Sequence, residues 1–258
     1  MCGRYTMFMK PEEIKRRFKA QMSPDVLEKL RQPRYNLAPT QDIPTITKSL
    51  SASADNASTD AALTQECTMM RWGLIPSWAN DASIGAKLIN ARAETLLEKP
   101  SFRNAVRSRR CLILANGFYE WHALSPKHKQ PMYVRLRSNA PFALAGLWDD
   151  WNNPETQATV RSCSIITTTP NAVLAQFHHR MAVILSPNDE AAWLDESLPI
   201  ADVMRLLHPY PAEEMEAFPV SERVNSFRDD DAGLIEKVEP LRFDTPKIHP
   251  ADAQQSLF

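Results

Sequence analysis

Cysteine at position 2, directly behind the initiator in Met1-Cys2-Gly3-Arg4, is the residue whose placement most directly offers chemistry. Methionine aminopeptidases remove an initiator that precedes a small side chain, and Cys2 is small. The expected product carries an α-amine and a thiol on adjacent carbons. An α-amino group titrates near ~7.7–8.0 and a free thiol near ~8.5, so both are partly nucleophilic at neutral pH, whereas a lysine near ~10.4 is almost wholly protonated. Two chemistries use such a terminus. The thiol can attack an acyl carbon with the amine as base, as in N-terminal-nucleophile hydrolases. Alternatively, the amine condenses with an aldehyde to a Schiff base and the thiol then closes a thiazolidine ring, from which the aldehyde escapes only if two bonds reverse. Taken alone, Cys2 reads as a small residue that merely follows the initiator.

The elements that must hold such a terminus can be read from composition and spacing. The 258 residues are 43% hydrophobic and 24% charged, enough apolar material for a core and too much for wholesale disorder. No apolar run is long enough to span a bilayer. The formal net charge of −1 confines any nucleic-acid binding to a local patch. Neither GxGxxG nor GxxxxGK[ST] occurs, which removes dinucleotide and P-loop readings. Cys2, Cys67, Cys111 and Cys163 are too far apart for a CxxC redox pair or zinc knuckle, and the start of the chain has no secretory stretch, so a cytosolic protein with reduced thiols is expected.

Ile14 and Phe18 share a face of a helix over Pro11–Lys19, and Ser23 with Pro24 opens a second that runs to Arg31. Residues 35–47 read as extended. Strand-like composition recurs at 67–75, 111–115, 132–137, 142–148, 161–168 and 181–186, and helical stretches at 91–98, 101–108, 170–176, 188–195 and 200–207. Strands outnumber helices without regular alternation, which favours α+β over a doubly wound sheet. Residues 49–66, almost all Ser, Ala, Thr, Asp and Asn, read as a flexible surface insertion within one domain.

Six segments occur in order: Met1-Cys2-Gly3-Arg4, Tyr35-Asn36-Leu37-Ala38-Pro39-Thr40, Arg71-Trp72-Gly73-Leu74-Ile75-Pro76, Ile89-Asn90-Ala91-Arg92-Ala93-Glu94-Thr95, Gly117-Phe118-Tyr119-Glu120-Trp121 and His178-His179-Arg180-Met181. Together they resemble the SRAP family, named for SOS-response-associated peptidases and associated with covalent shielding of abasic DNA sites. The resemblance spans residues 2–243. It implies an α+β single domain with a curved, barrel-like antiparallel sheet flanked by helices and a groove for single-stranded DNA. It implies Cys2 as the cross-linking residue, with Asn90, Glu120 and His178 around it. A carboxyl that shuttles protons suits the loss of water from a carbinolamine, and Glu120 takes that role, its aromatic neighbours implying burial and a raised pKa. His178 exchanges protons near pH 7 and serves the opening or reopening of the sugar ring. Asn90, donor and acceptor at once, orients the amine or the ring-opened hydroxyl.

Arg4, Arg92 and Arg180 lie inside the motifs and would grip flanking phosphates. Pro39, Trp72 and Trp78 would offer flat faces to bases. Residues 99–110 add a second basic run, Lys99, Arg103, Arg107, Arg109 and Arg110, which reads as readily as a solvated helix face. Two departures from the family pattern stand out. Ala182 replaces the usual Pro after Met181, and Leu114-Ala115-Asn116 replaces Pro-Ala-Asp; neither removes a reactive group. No metal or organic cofactor is implied, a monomer is the default, weak lyase activity follows from Schiff-base chemistry, and a thiol hydrolase (peptidase) is the alternative. The polar tail 244–258 ends in Gln254-Gln255-Ser256-Leu257-Phe258, which resembles the bacterial sliding-clamp-binding pentapeptide: Leu257 and Phe258 for an apolar pocket, Gln254 for its edge. Cytoplasmic, nucleoid-associated work is the corresponding expectation.

Overall fold

A ring of five strands cannot close with every neighbour antiparallel, because an odd number of reversals does not return the first direction; this fold meets that constraint with one parallel pair. The computed structural model describes residues 2–48 and 65–241. In chain order it contains β1 (Arg4–Met7), α1 (Pro11–Phe18), β2 (Ala20–Met22), α2 (Pro24–Leu30), β3 (Arg34–Leu37), β4 (Asp42–Lys48), β5 (Gln65–Trp72) and β6 (Asn90–Arg92). There follow α3 (Ala105–Ser108), β7 (Arg110–Ala115), β8 (Gly117–Ala123), β9 (Lys129–Leu136), β10 (Phe142–Asn152), β11 (Thr159–Thr168), β12 (Met181–Ala182), β13 (Ile184–Leu185), α4 (Pro187–Leu194), α5 (Ile200–Arg205) and β14 (Met215–Pro219). Strands β11, β10, β7, β4 and β5 pair antiparallel in that order, and β5 meets β11 in parallel through Ser162↔Arg71 and Cys163↔Trp72, closing the ring. A second, antiparallel sheet of order β14-β9-β8-β1-β3 packs with it. The α+β, barrel-cored class expected from the sequence is the class found.

Side-chain pattern explains the layers. All six residues of β7 are buried, as the apolar run 111–115 that follows Arg110 requires of a strand covered on both faces. In α1, Pro11 opens the helix and Ile14 and Phe18 bury one face, each worth about 1.5–3 kcal/mol of transfer free energy. Ser23 caps α2 by accepting a hydrogen bond from the Val26 N–H at 3.4 Å, with Pro24 at the first position. Among the described residues, no helix is long and apolar enough to cross a membrane.

Several local expectations are corrected. The helix over 91–98 is instead β6 followed by a single 3-10 turn at Ala93–Thr95, because Asn90, Ala91 and Arg92 pair in parallel with Ile165, Ile166 and Thr167 of β11. The helices over 101–108 and 170–176 shrink to α3 and a turn at Leu174–Gln176. Strand 181–186 is two short pieces, β12 pairing with β11 and β13 with β10. Gln65 and Glu66 belong to β5, paired with Lys48 and Thr47, so the polar insertion is shorter than the 49–66 expected; residues 49–64 and the tail from 242 lie outside the described residues.

Candidate active site

Strand parity buries Glu120. In β8, Phe118 packs into the main core while Tyr119 joins a second cluster with Tyr133, Val220, Val224 and Leu234. Alternation then turns Glu120 to the side of Phe118 and Trp121 to the side of Tyr119. Gly117 makes this register possible, since a Cβ there would fall inside the ring and hydroxyl of Tyr133, whose Oη lies 2.8 Å from Thr6 Oγ1. Strand β1 lies beside β8 with Arg4 opposite Tyr119, which brings Cys2, just ahead of β1, toward Glu120. Cys2 is fully buried, and burial pushes its thiol far above the usual range, with the Glu120 charge adding to the shift.

Strand β6 supplies Asn90. Its Nδ2 donates to the Cys2 carbonyl at 2.9 Å, and its buried Oδ1 has no hydrogen-bond partner among the described residues. His178, just ahead of β12, brings Nε2 to 3.6 Å from Glu120 Oε2. Its Nδ1 is clasped by the backbone of Arg180, with the carbonyl at 2.9 Å and the N–H at 3.0 Å; the tautomer decides which of the two is bonded. Burial pushes the Glu120 carboxyl up to about 7. Burial also lowers His178, against the upward pull of the Arg180 carbonyl. Near neutrality the pair therefore comprises a carboxyl that can hold its proton and an imidazole that is mostly neutral. Cys2, Asn90, Glu120 and His178, distant in sequence, thus converge.

The residues expected to hold DNA divide. Arg92 is exposed, Pro39 half-buried, and Trp78 is 56% exposed. Trp72, expected to stack on a base, is fully buried and donates from Nε1 to the Ile89 carbonyl at 3.0 Å, with the Tyr5 ring edge-on at 5.4 Å, so it offers no open face. Arg4, expected at a phosphate, is buried and donates to Asn36 Oδ1 at 2.6 Å and the Val224 carbonyl at 2.8 Å. Arg180, expected at a phosphate, forms a bidentate pair with Glu94 at 2.7 and 2.9 Å and donates to the Thr167 carbonyl at 2.7 Å. The terminal nitrogens of both guanidiniums bond within the protein, while the buried Arg180 Nε has no hydrogen-bond partner among the described residues, and the Arg180 fork braces the backbone that clasps His178. In the basic run, Arg110 is buried and donates to the Trp193 and Asp195 carbonyls, and Arg109 pairs with Asp149, leaving Lys99, Arg103 and Arg107 exposed.

Asn36 and Glu94 sit within the recognised segments, whose motifs carry the available signal for them but not their roles. Asn36 Nδ2 donates to the carbonyls of Val224, Ser226 and Asp229, and Asp230 accepts from the Asn36 N–H, which fastens the 222–231 loop to β3. At the departures from the family pattern, Asn116 Oδ1 accepts from the Phe8 N–H at 2.7 Å, and Ala182 pairs with Thr167.

A family model described as SOS response associated peptidase (SRAP) matches residues 1–227. The chain is 44% identical over 238 residues to abasic site processing protein YoqW of Bacillus subtilis (strain 168), covering 92% of this chain and 99% of that one. It is 30% identical over 285 residues to abasic site processing protein HMCES of Gallus gallus, covering 98% of this chain and 82% of that one. A solved structure of a protein from Bacteroides thetaiotaomicron matches with a TM-score of 0.79 at 28% identity, covering 92% of this chain and all of that one. A family match across most of the chain, relatives of nearly full length and a shared fold agree: this chain belongs to the SRAP family.

Proposed function

We propose that this chain processes abasic sites by capturing them covalently in single-stranded DNA through Cys2 once Met1 is removed. The observation that carries the reading is the pairing, beside the buried Cys2, of a carboxyl raised to about 7 with an imidazole 3.6 Å away. The relatives named abasic site processing proteins supply the substrate class. The reaction balances without a cofactor. His178 relays the C1′ hydroxyl proton to the ring oxygen as the furanose opens to its aldehyde. The Cys2 amine attacks C1′, and the oxyanion takes a proton from the nitrogen to give a carbinolamine. Glu120 gives its proton to the carbinolamine hydroxyl, which leaves as water. The Glu120 carboxylate then removes the Sγ proton as sulfur bonds to the same carbon. One water is lost, two bonds to C1′ are made, and Glu120 ends protonated as it began. Burial keeps the sulfur a thiol until that step, so ring closure needs a base at hand. Asn90 holds the Cys2 carbonyl and keeps an open acceptor for the amine.

In this reading Arg92 meets phosphate, and Trp78 and Pro39 border the bases, while Arg4, Trp72 and Arg180 act from within by holding the site. The reactive unit is residues 2–243, acting as a monomer in the cytoplasm near the nucleoid. The Schiff base also allows slow β-elimination, a weak lyase activity. The tail 244–258, outside the described residues, recruits the protein to a sliding clamp through Gln254, Leu257 and Phe258; deleting 254–258 abolishes clamp binding, and an unchanged affinity would refute that part.

The test mixes purified protein with single-stranded oligonucleotides that carry or lack an abasic site and resolves them on a denaturing gel. A retarded band only with the lesion, lost in Cys2→Ala, is expected. Peptide cleavage with no such band would favour the thiol-hydrolase alternative.

A further inference from the structure

Phe227 is a large aromatic ring left 70% exposed, in a loop that is otherwise tightly fastened. The Arg4 guanidinium lies 4.0 Å from its centroid and covers one face. Arg4 is itself fixed by Asn36 Oδ1 at 2.6 Å and the carbonyls of Val224 at 2.8 Å and Asn225 at 3.4 Å. Asn36 grips the carbonyls on either side of Phe227, those of Ser226 at 2.9 Å and Asp229 at 2.8 Å. Trp121, next to Glu120, donates from Nε1 to Asn225 Oδ1 at 2.9 Å. The loop is thus tied, on the Tyr119 face of the sheet, to β1, which begins two residues after Cys2, and to β8, which carries Glu120, and it holds one ring face toward solvent. An exposed aromatic gains nothing from burial where it stands, yet its position is fixed by a cation and several hydrogen bonds.

The charges around it suit a polyanion with flat groups. Arg228 is exposed and pairs with no carboxylate among the described residues. The cleft beneath the loop is lined by Trp121, Lys127, His128, Lys129, Glu222 and Asn225. Of the neighbouring carboxylates, Asp229 and Asp231 are engaged by Arg223 and Asp230 by Arg34, leaving Glu222 as the acid in the cleft.

We infer that Phe227, backed by Arg4, is a stacking platform for one nucleobase flanking the lesion, with Arg228 and the Lys127–Lys129 hairpin tip on the adjoining phosphates. The inference rests on the single-stranded DNA reading above and deepens it by assigning a base subsite. Every base has a π-face, so the site reads the presence of a base and not its identity.

The test measures equilibrium binding by fluorescence anisotropy, using single strands with a central tetrahydrofuran analogue that cannot condense with an amine. In two further strands, the base on the 5′ or the 3′ side is also replaced by tetrahydrofuran. Wild-type protein is expected to lose roughly 5- to 150-fold in affinity when one of these bases is removed, the range that one base–aromatic stack supports. Phe227→Ala is expected to bind every strand at that weakened level and to ignore the same base, and Phe227→Trp to restore the dependence. Phe227→Leu, which keeps apolar cover over Arg4 without a π-face, should behave as Phe227→Ala and serves should the alanine variant misfold. Wild-type affinity in both Phe227→Ala and Phe227→Leu, or an undiminished response to base removal in both, overturns the platform. Adduct formation on a true abasic strand is scored separately with wild-type protein. Its absence would remove the covalent reading and leave the binding result to stand or fall alone.

Discussion

Replacing Glu120 by glutamine should make the protein more stable and less able to react, and the size of the first effect follows from the structure. Glu120 is almost fully buried, and burial raises its carboxyl from an ordinary 4.5 to about 7. The folded state thus binds this proton more tightly than the unfolded chain. Below about 4.5 the group is neutral in both states and costs nothing. As pH rises from there to about 7, the unfolded chain releases the proton and the folded protein retains it, so stability falls; above 7 the loss is complete. At about 1.4 kcal/mol per pH unit, the interval amounts to about 3 kcal/mol. Glutamine has nearly the same shape and never carries the charge. Urea unfolding of Glu120→Gln and wild type should therefore agree near pH 4 and diverge to about 3 kcal/mol in favour of the variant by pH 8, the other titrations cancelling in the difference. Adduct formation should meanwhile fall by about 10²–10⁴-fold, the usual worth of a positioned proton donor. Parallel stability curves, or a variant weaker than wild type at pH 8, would refute the argument that burial holds this carboxyl neutral.

Capture needs Glu120 protonated and the Cys2 amine unprotonated, so its rate should rise as the amine deprotonates, pass through a maximum between about 7 and ~7.7–8.0, and decline at higher pH as Glu120 ionises. Initial rates in quenched-flow gels check this, and Glu120→Gln should lack the decline. Asn90→Ala removes the 2.9 Å donor to the Cys2 carbonyl and should slow capture by about 10- to 100-fold, the equivalent of one buried hydrogen bond, with little change in affinity for undamaged single strands. Gly117→Ala drives a methyl group into Tyr133 and should cost about 1–3 kcal/mol in urea unfolding. A wild-type midpoint would contradict the packing described for β8.

The sequence made the proposed reactive set legible because each member sits in a short motif whose residue types suggest their chemistry. Cys2, Asn90, Glu120 and His178 needed no structure to be named together. The burial of Glu120 could also be anticipated from the aromatics beside it, although composition does not mark Gly117–Ala123 as the strand that carries it. What local pattern could not supply was pairing. Ala91 and Arg92 look helical on propensity alone, and only the parallel match of Asn90–Arg92 to β11 makes the segment a strand. Parallel closure of β5 on β11 is likewise a long-range event with no local signature. The arginines illustrate the same gap: a motif arginine reads as a phosphate ligand, and sequence does not show that Arg4 and Arg180 also find carbonyl, amide and carboxylate partners far away in the chain. Trp72 reads in sequence as an aromatic ahead of Pro76, and its place at the end of β5 buries it. Phe227 had no motif to announce it.

The same contacts explain why the site holds its shape. Glu94 fixes Arg180, and the backbone of Arg180 fixes His178 Nδ1, which leaves Nε2 directed at Glu120. Asn36 and Asp230 secure the loop that fixes Arg4, next but one to Cys2. Positioning is thus achieved by charged side chains turned inward.

The central claim is that the amine and the thiol of one residue close on one aldehyde carbon. Its most direct measurement is the intact mass of the adduct, isolated without any reducing agent, together with fragmentation of the modified terminus. The account predicts protein lacking Met1 plus the abasic strand minus one water, with both nitrogen and sulfur of Cys2 blocked. An adduct on protein that retains Met1, or one that leaves the Cys2 thiol open to alkylation, would contradict it.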